Sequence, residues 1–262
     1  MYNIFLAVLI VAGIGLVAGI ILALASSFFS VPKNEKEEQV LSALPGVNCG
    51  ACGFSGCSGY AKALIKSEAK PNLCAPGGEA VCSIISKILG IKEESIEKKV
   101  AKVYCAGTYD HTLNKMEYQG IESCVAAGEL FSGPKNCKYG CIGFGDCKKV
   151  CEYNAIEICN GVAHIDPEKC KGCFVCVKNC PKNIIKLVPY KKQAFIGCSN
   201  TDKGGQTKKA CAIGCIGCTL CAKECPTSAI TIENSLAKID PVKCIGCGKC
   251  VKVCKSNCIV MI

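Results

Sequence analysis

"CIGCTLCAKECP" at residues 215–226 and "CIGCGKCVKVC" at residues 244–254 each carry four cysteines in a C-x2-C-x2-C-x3-C run. That spacing curls a short loop around one inorganic cluster with three thiolates and carries the fourth cysteine away to a neighbouring cluster. One cluster is therefore expected on Cys215, Cys218, Cys221 and Cys254, and its neighbour on Cys244, Cys247, Cys250 and Cys225. The exchange of ligands ties two short halves into one pseudo-symmetric unit. The chain holds 27 cysteines in 262 residues. An odd total, gathered in tight runs, indicates thiolates around metal in a reducing compartment rather than a disulfide scaffold.

Working outward, a shift of 74 residues lays 137–180 on 211–254 without a gap, with 24 identities in 44 positions. An internal repeat of that quality makes the first segment a second two-cluster ferredoxin unit. "CKGCFVCVKNCP", from Cys170, is as regular as its copy and assigns Cys170, Cys173, Cys176 and Cys151 to one cluster. "CKYGCIGFGDCKKVC", residues 137–151, departs from the pattern: Phe144 stands where Cys218 stands in the other copy. The expectation is that Cys137 replaces the missing ligand beside Cys141, Cys147 and Cys180. The competing reading is a lost or three-iron cluster, and Cys124 is the next candidate should Cys137 not serve. "AIEICNGVAHID" and "AITIENSLAKID" read as β-hairpins turning at Asn160-Gly161 and Asn234-Ser235.

Upstream, Cys49, Cys52, Cys57 and Cys74 form a C-x2-C-x4-C-x16-C array among glycines, which let the backbone wrap closely around a bulky group. "YAKALIKSEA" (60–69) reads as a helix stopped by Pro71, after which the chain returns Cys74. This array is expected to hold a [4Fe–4S] cluster, with a structural zinc site as the competing reading. Seven cysteines are left over. Cys82 is expected in the core, and Cys159 and Cys258 align with Glu233 and Ile184, so neither place demands sulfur. Cys105, Cys124, Cys198 and Cys211 are either packing thiols or a further site that spacing does not reveal. His164, aligned with Lys238, is expected as a solvated strand residue, and His111 lies in a polar loop; neither is expected as a metal ligand.

Residues 4–29 contain no charge. Roughly 39 Å of helix would span a bilayer. Lys33 and Lys36 follow it and no basic residue precedes it, so the body is expected on the cytoplasmic side of the cell (inner) membrane as a single-pass protein. The 31 basic residues are all lysine, against 21 acidic ones. With no arginine or tryptophan, this composition argues against a nucleic-acid partner. The lysines instead balance buried anionic clusters. No dinucleotide fingerprint, phosphate loop or nucleophile–base pair is present, so no substrate active site is expected on the chain.

Taken together, the uncharged helix, "CGACGFSGC…CAPGG", "GPKNCKYGCIGFGDC" and the ferredoxin repeats resemble the B subunit of the Rnf complex over essentially the whole chain. Glu152 and Lys255 depart from it, replacing prolines after Cys151 and Cys254. The resemblance implies a component of an ion-translocating ferredoxin:NAD+ oxidoreductase that accepts electrons from soluble ferredoxin and passes them to other membrane subunits. The implied fold class is α+β: a single amino-terminal transmembrane helix, a small [4Fe–4S] module and two tandem bacterial-type two-cluster ferredoxin domains, with about five [4Fe–4S] clusters in all. The expected boundaries are an anchor at 1–30, the module at 31–86, a linker region at 87–134, and ferredoxin domains at 135–190 and 191–262. Competing readings are a polyferredoxin component of a hydrogenase or quinone-linked reductase, and a zinc-rich structural interaction protein.

Overall fold

The computed structural model describes residues 2–28, 34–93, 95 and 97–261. The expected boundary at 30/31 and Lys33 lie outside them. Helix α1 (Tyr2–Phe28) has 27 residues and no charge, and its described large apolar side chains are exposed. Among the described residues no helix is long and apolar enough to cross a membrane. The side chains of α1 are described without a break only over residues 9–25.

Three helices make the next module: α2 (Glu35–Ala43), α3 (Cys57–Ile65) and α4 (Gly78–Leu89). They close on Val40, Tyr60, Leu64 and Ile85, all nearly inaccessible to solvent. Cys82 lies buried in α4, as expected of a core residue. Helix α3 starts and stops earlier than the apolar pattern suggests. Asn48 Oδ1 accepts the Cys57 N–H at 2.8 Å and so seeds the first turn, while Ser67 takes a left-handed conformation that ends it. Pro71 instead opens a 3-10 turn, Pro71–Leu73.

The rest of the chain is the predicted pair of repeats. In the first, β2 (Ile156–Cys159) and β3 (Val162–Ile165) form a hairpin, Asn160 and Gly161 both at positive φ as a type I′ turn requires. Short helices α6 (Asp146–Lys149) and α7 (Val175–Asn179) follow the cysteine loops. The second repeat mirrors this with β6 (Ile230–Glu233), β7 (Leu236–Ile239), α9 (Leu220–Lys223) and α10 (Lys249–Lys252).

Each repeat also has an outer pair of antiparallel strands: β1 (Lys99–Val103) with β4 (Ile185–Pro189), and β5 (Ala194–Ile196) with β8 (Ile259–Met261). β1 falls in the segment expected to be a linker. Its Val100, Ala101 and Val103 are instead core residues of the first ferredoxin unit, packed with Ile156, Ile165 and Ile185. A five-residue strand carries too little periodicity to be told from a loop, and only its partner 86 residues on defines it. The remaining helices, α5 (Cys124–Glu129) and α8 (Gly204–Ala210), lie in the segments that lead into each first cysteine loop.

Candidate metal centres

Four enclosed spaces in the two repeats are walled by cysteines and apolar side chains. Cys215, Cys218, Cys221 and Cys254 line one, with Cys258 beside them, and Cys225, Cys244, Cys247 and Cys250 line the next. Cys151, Cys170, Cys173 and Cys176 line a third. Each set is the one expected from the crossing pattern. The fourth space is lined by Cys141, Cys147 and Cys180, as expected, but its fourth cysteine is Cys124 and not Cys137. Four or more thiols around each space, set in apolar walls, fit one and the same group, a cubane cluster held by four thiolates.

The presence of Cys124 rather than Cys137 at this space has a local cause. Helix α5 begins at Cys124 behind the capping residue Ser123, whose hydroxyl accepts the Val125 N–H at 3.2 Å. Asp146, at the start of α6, takes the Ser123 hydroxyl at 2.7 Å and the Val125 N–H at 3.1 Å, strapping α5 onto the helix that bears Cys147. Burial alone would raise the Asp146 carboxyl, but these donors and the Cys124 N–H outweigh it and hold it below the ordinary range. Phe144, in the place of the lost ligand, packs on Tyr118 and closes a small cluster with Cys124, Ala127 and Ile142. The segment that holds α5 thus brings Cys124 to this space and forms a pocket for Phe144.

In the amino-terminal array, Cys74 has Cys57, Cys49 and Cys52 as its electrostatic neighbours, so the expected four are together. Tyr60 sets the returning arm: its hydroxyl donates to the Lys70 carbonyl at 2.6 Å and accepts the Leu73 N–H at 3.3 Å, one residue before Cys74. This array abuts the first ferredoxin unit, where Lys178 Nζ donates to the Cys49 carbonyl at 3.1 Å. Tyr153 lies among Cys173, Cys49 and Cys74.

Burial pushes several of these thiols up, Cys74 and Cys141 to about 11 and Cys147 and Cys176 to about 12. Backbone N–H groups also reach the sulfurs: Ala101 donates to Cys170 Sγ at 3.3 Å, Ala237 to Cys215 at 3.5 Å and Ala229 to Cys225 at 3.3 Å. Such donors are what a metal-bound, anionic sulfur needs in an apolar wall. Among the described residues, no group of three or more His, Cys, Asp or Glu side chains could hold a bare metal ion as placed. Of the two histidines, His164 is an exposed strand residue paired across the hairpin with Glu157.

Family models agree with this division. An Fe-S cluster family matches residues 44–76, a 4Fe-4S binding domain matches 162–185, and a 4Fe-4S dicluster domain matches 214–258. Over 97% of its length the chain is 42% identical to the B subunit of the Na(+)-translocating ferredoxin:NAD(+) oxidoreductase complex of Acetobacterium woodii, covering 78% of that protein. It is 40% identical to the proton-translocating counterpart of Clostridium ljungdahlii, over 92% of this chain and 85% of that one. The chain belongs to the Rnf B subunit family. A third Rnf relative, the B subunit of the ion-translocating oxidoreductase complex of Methanosarcina acetivorans, is 36% identical over 89% of both chains. In this Rnf protein the fold supplies the iron–sulfur arm of an oxidoreductase complex, with cysteine-walled chambers where electron carriers are held.

Proposed function

We propose that this chain is the membrane-anchored electron relay of an ion-translocating ferredoxin:NAD+ oxidoreductase. It would take electrons from soluble ferredoxin and deliver them to partner subunits in the membrane. The observation that carries the reading is the set of cysteine-walled chambers on one chain that belongs to the Rnf B subunit family. When bound, [4Fe–4S] clusters supply one-electron carriers. The chain's own residues hold them, aim N–H groups at their sulfurs and exclude water with apolar walls.

The proposed ligand sets are Cys49, Cys52, Cys57 and Cys74; Cys151, Cys170, Cys173 and Cys176; Cys124, Cys141, Cys147 and Cys180; Cys215, Cys218, Cys221 and Cys254; and Cys225, Cys244, Cys247 and Cys250. Support for the anchor comes from the uncharged α1 with its exposed apolar surface, and Lys36 after it favours a cytoplasmic body. Mixing the anaerobically purified membrane complex with reduced ferredoxin tests the reading. Visible absorption should bleach and NAD+ should then be reduced. Ready entry of electrons from a quinol, with none from ferredoxin, would overturn it.

A further inference from the structure

We infer that Cys105, Cys137, Cys198 and Cys211 form a sixth [4Fe–4S] site, seated between the two ferredoxin domains and joining their clusters into one path. The inference rests on reading the chain as a cluster-binding relay.

The four cysteines come as two equivalent pairs. β1 and β5 hold the same place in the two repeats, and a cysteine stands two residues past the end of each. A shared hydrogen bond precedes both cysteines. Tyr104 N–H donates to the Ile184 carbonyl at 2.7 Å, and Gly197 N–H donates to that of Cys258, the residue aligned with Ile184, at 2.6 Å. Cys105 and Cys198 follow Tyr104 and Gly197 directly. Cys137 and Cys211 are paired by the 74-residue shift. The domains meet where these pairs lie: Ala106 N–H donates to the Gly197 carbonyl at 2.8 Å, and Ala212 N–H to that of His111 at 2.7 Å.

Around the sulfurs the contacts repeat those of the other chambers. Cys105 Sγ and Cys137 Sγ bracket the position a Gly140 side chain would fill, at 3.5 and 3.6 Å. A side chain at Gly107 would stand 3.1 Å from Cys211 Sγ and 3.8 Å from Cys105 Sγ. Cys198 and Cys211 both have Cys137 as an electrostatic neighbour. The N–H of Cys141 donates to Cys105 Sγ at 3.3 Å and the N–H of Cys215 to Cys198 Sγ at 3.4 Å. Asn200, 1% exposed, donates its backbone N–H to Cys198 Sγ at 3.5 Å and its Nδ2 to Cys137 Sγ at 3.7 Å. Further N–H donors reach Cys105 from Gly107 and Cys211 from Ile213.

Charge makes the same point independently. Lys135 is only 3% exposed, and its ammonium is held by the carbonyls of Gly107 at 3.2 Å and Gly161 at 2.6 Å rather than by a carboxylate. Its ammonium also lies 4.8 Å from the centre of the Tyr109 ring. A buried cation among neutral thiols is costly, whereas beside a cluster with four thiolates it balances an anion. Position then gives the site its use. Cys141 and Cys215 each place a sulfur in one ferredoxin chamber while donating an N–H to a sulfur of this set, so one residue separates it from a chamber on either side.

Iron, acid-labile sulfide and electron paramagnetic resonance on the anaerobically isolated full-length chain test this. The wild type should hold about 24 irons and as many sulfides, against about 20 without the site. Cys198→Ser and Cys211→Ser should each remove about four irons, or about one with a three-iron signal in the oxidised state. Cys159→Ser, at an exposed position, should change nothing. Asn200→Asp keeps every ligand and should move the midpoint potential of one cluster only. The wild-type count is decisive even if a serine variant does not fold. About 20 irons with none lost from the Cys198 and Cys211 variants, unshifted potentials in Asn200→Asp, or a disulfide within the four would overturn the inference and leave the relay standing. Zinc without sulfide would overturn both.

Discussion

Phe144 and Cys124 show how one substitution is compensated at a distance in sequence. The repeat puts a phenylalanine where its copy has Cys218, and Cys124 closes the chamber instead. Cys124→Ser should remove about one cluster's iron, and adding Phe144→Cys to that variant should restore it. An iron count that stays low in the double variant would show that the loop no longer accepts a ligand at 144. Glycines are the other residue-scale constraint. Gly172 sits at φ +64°, and a Cβ there would lie 2.5 Å from the Lys99 carbonyl; Gly143, Gly217 and Gly246 meet the backbone in the same way. Gly172→Ala should lower stability by about 1–3 kcal/mol, read from the midpoint of anaerobic denaturant unfolding. Gly205→Ala, in α8 with open space around it, should be neutral or stabilise by up to about 1 kcal/mol.

Helix α5 is short and depends on its strap to α6. Asp146 keeps its charge because Ser123 and two backbone N–H groups bond the ionised form. A carboxyl held below its unfolded value contributes stability above that value and loses it as pH falls through the lower, folded one. On titration below about pH 4, the chamber that includes Cys124 should therefore release iron before that of Cys151, Cys170, Cys173 and Cys176. Asp146→Asn should remove the difference, and site-resolved magnetic resonance during acidification would reveal whether it does. Simultaneous loss from both chambers in the native chain would show that the strap does not govern Cys124.

For the whole molecule, α1 supplies no cysteine, and every proposed ligand lies from Cys49 onward. Removing residues 1–30 should leave a soluble chain with its full iron content that no longer sediments with vesicles. Loss of most iron on truncation would mean that the helix supports the body. The body itself is held by contacts between units: Lys178 to the Cys49 carbonyl, Tyr139 to Asp202 at 3.1 Å, and the Tyr104 ring edge-on to Phe195 at 6.0 Å. These contacts fix the units against one another, which separate ferredoxin units joined by a linker would not do.

The cysteine spacings, the glycines within them and the 74-residue repeat were enough to gather sixteen cysteines into four sets and to foresee both inner hairpins. Those features are local: a C-x2-C-x2-C loop closes on itself, and Asn160-Gly161 turns whatever surrounds it. What spacing could not reveal was long-range. Cys105 and Cys137 are 32 residues apart and their counterparts Cys198 and Cys211 only 13, because the first copy carries the extra segment with α5. The shift that aligns the loops therefore does not superpose Cys105 on Cys198, although "VYCAGTYD" resembles "IGCSNTD". The pairing of β1 with β4 and of β5 with β8 gives the two cysteines the same place, since strand partners are chosen by packing across the fold rather than by neighbouring residues. For the same reason Cys137, the nearer cysteine along the chain, turns toward the second domain, and Cys124, farther along it, reaches the first domain's chamber.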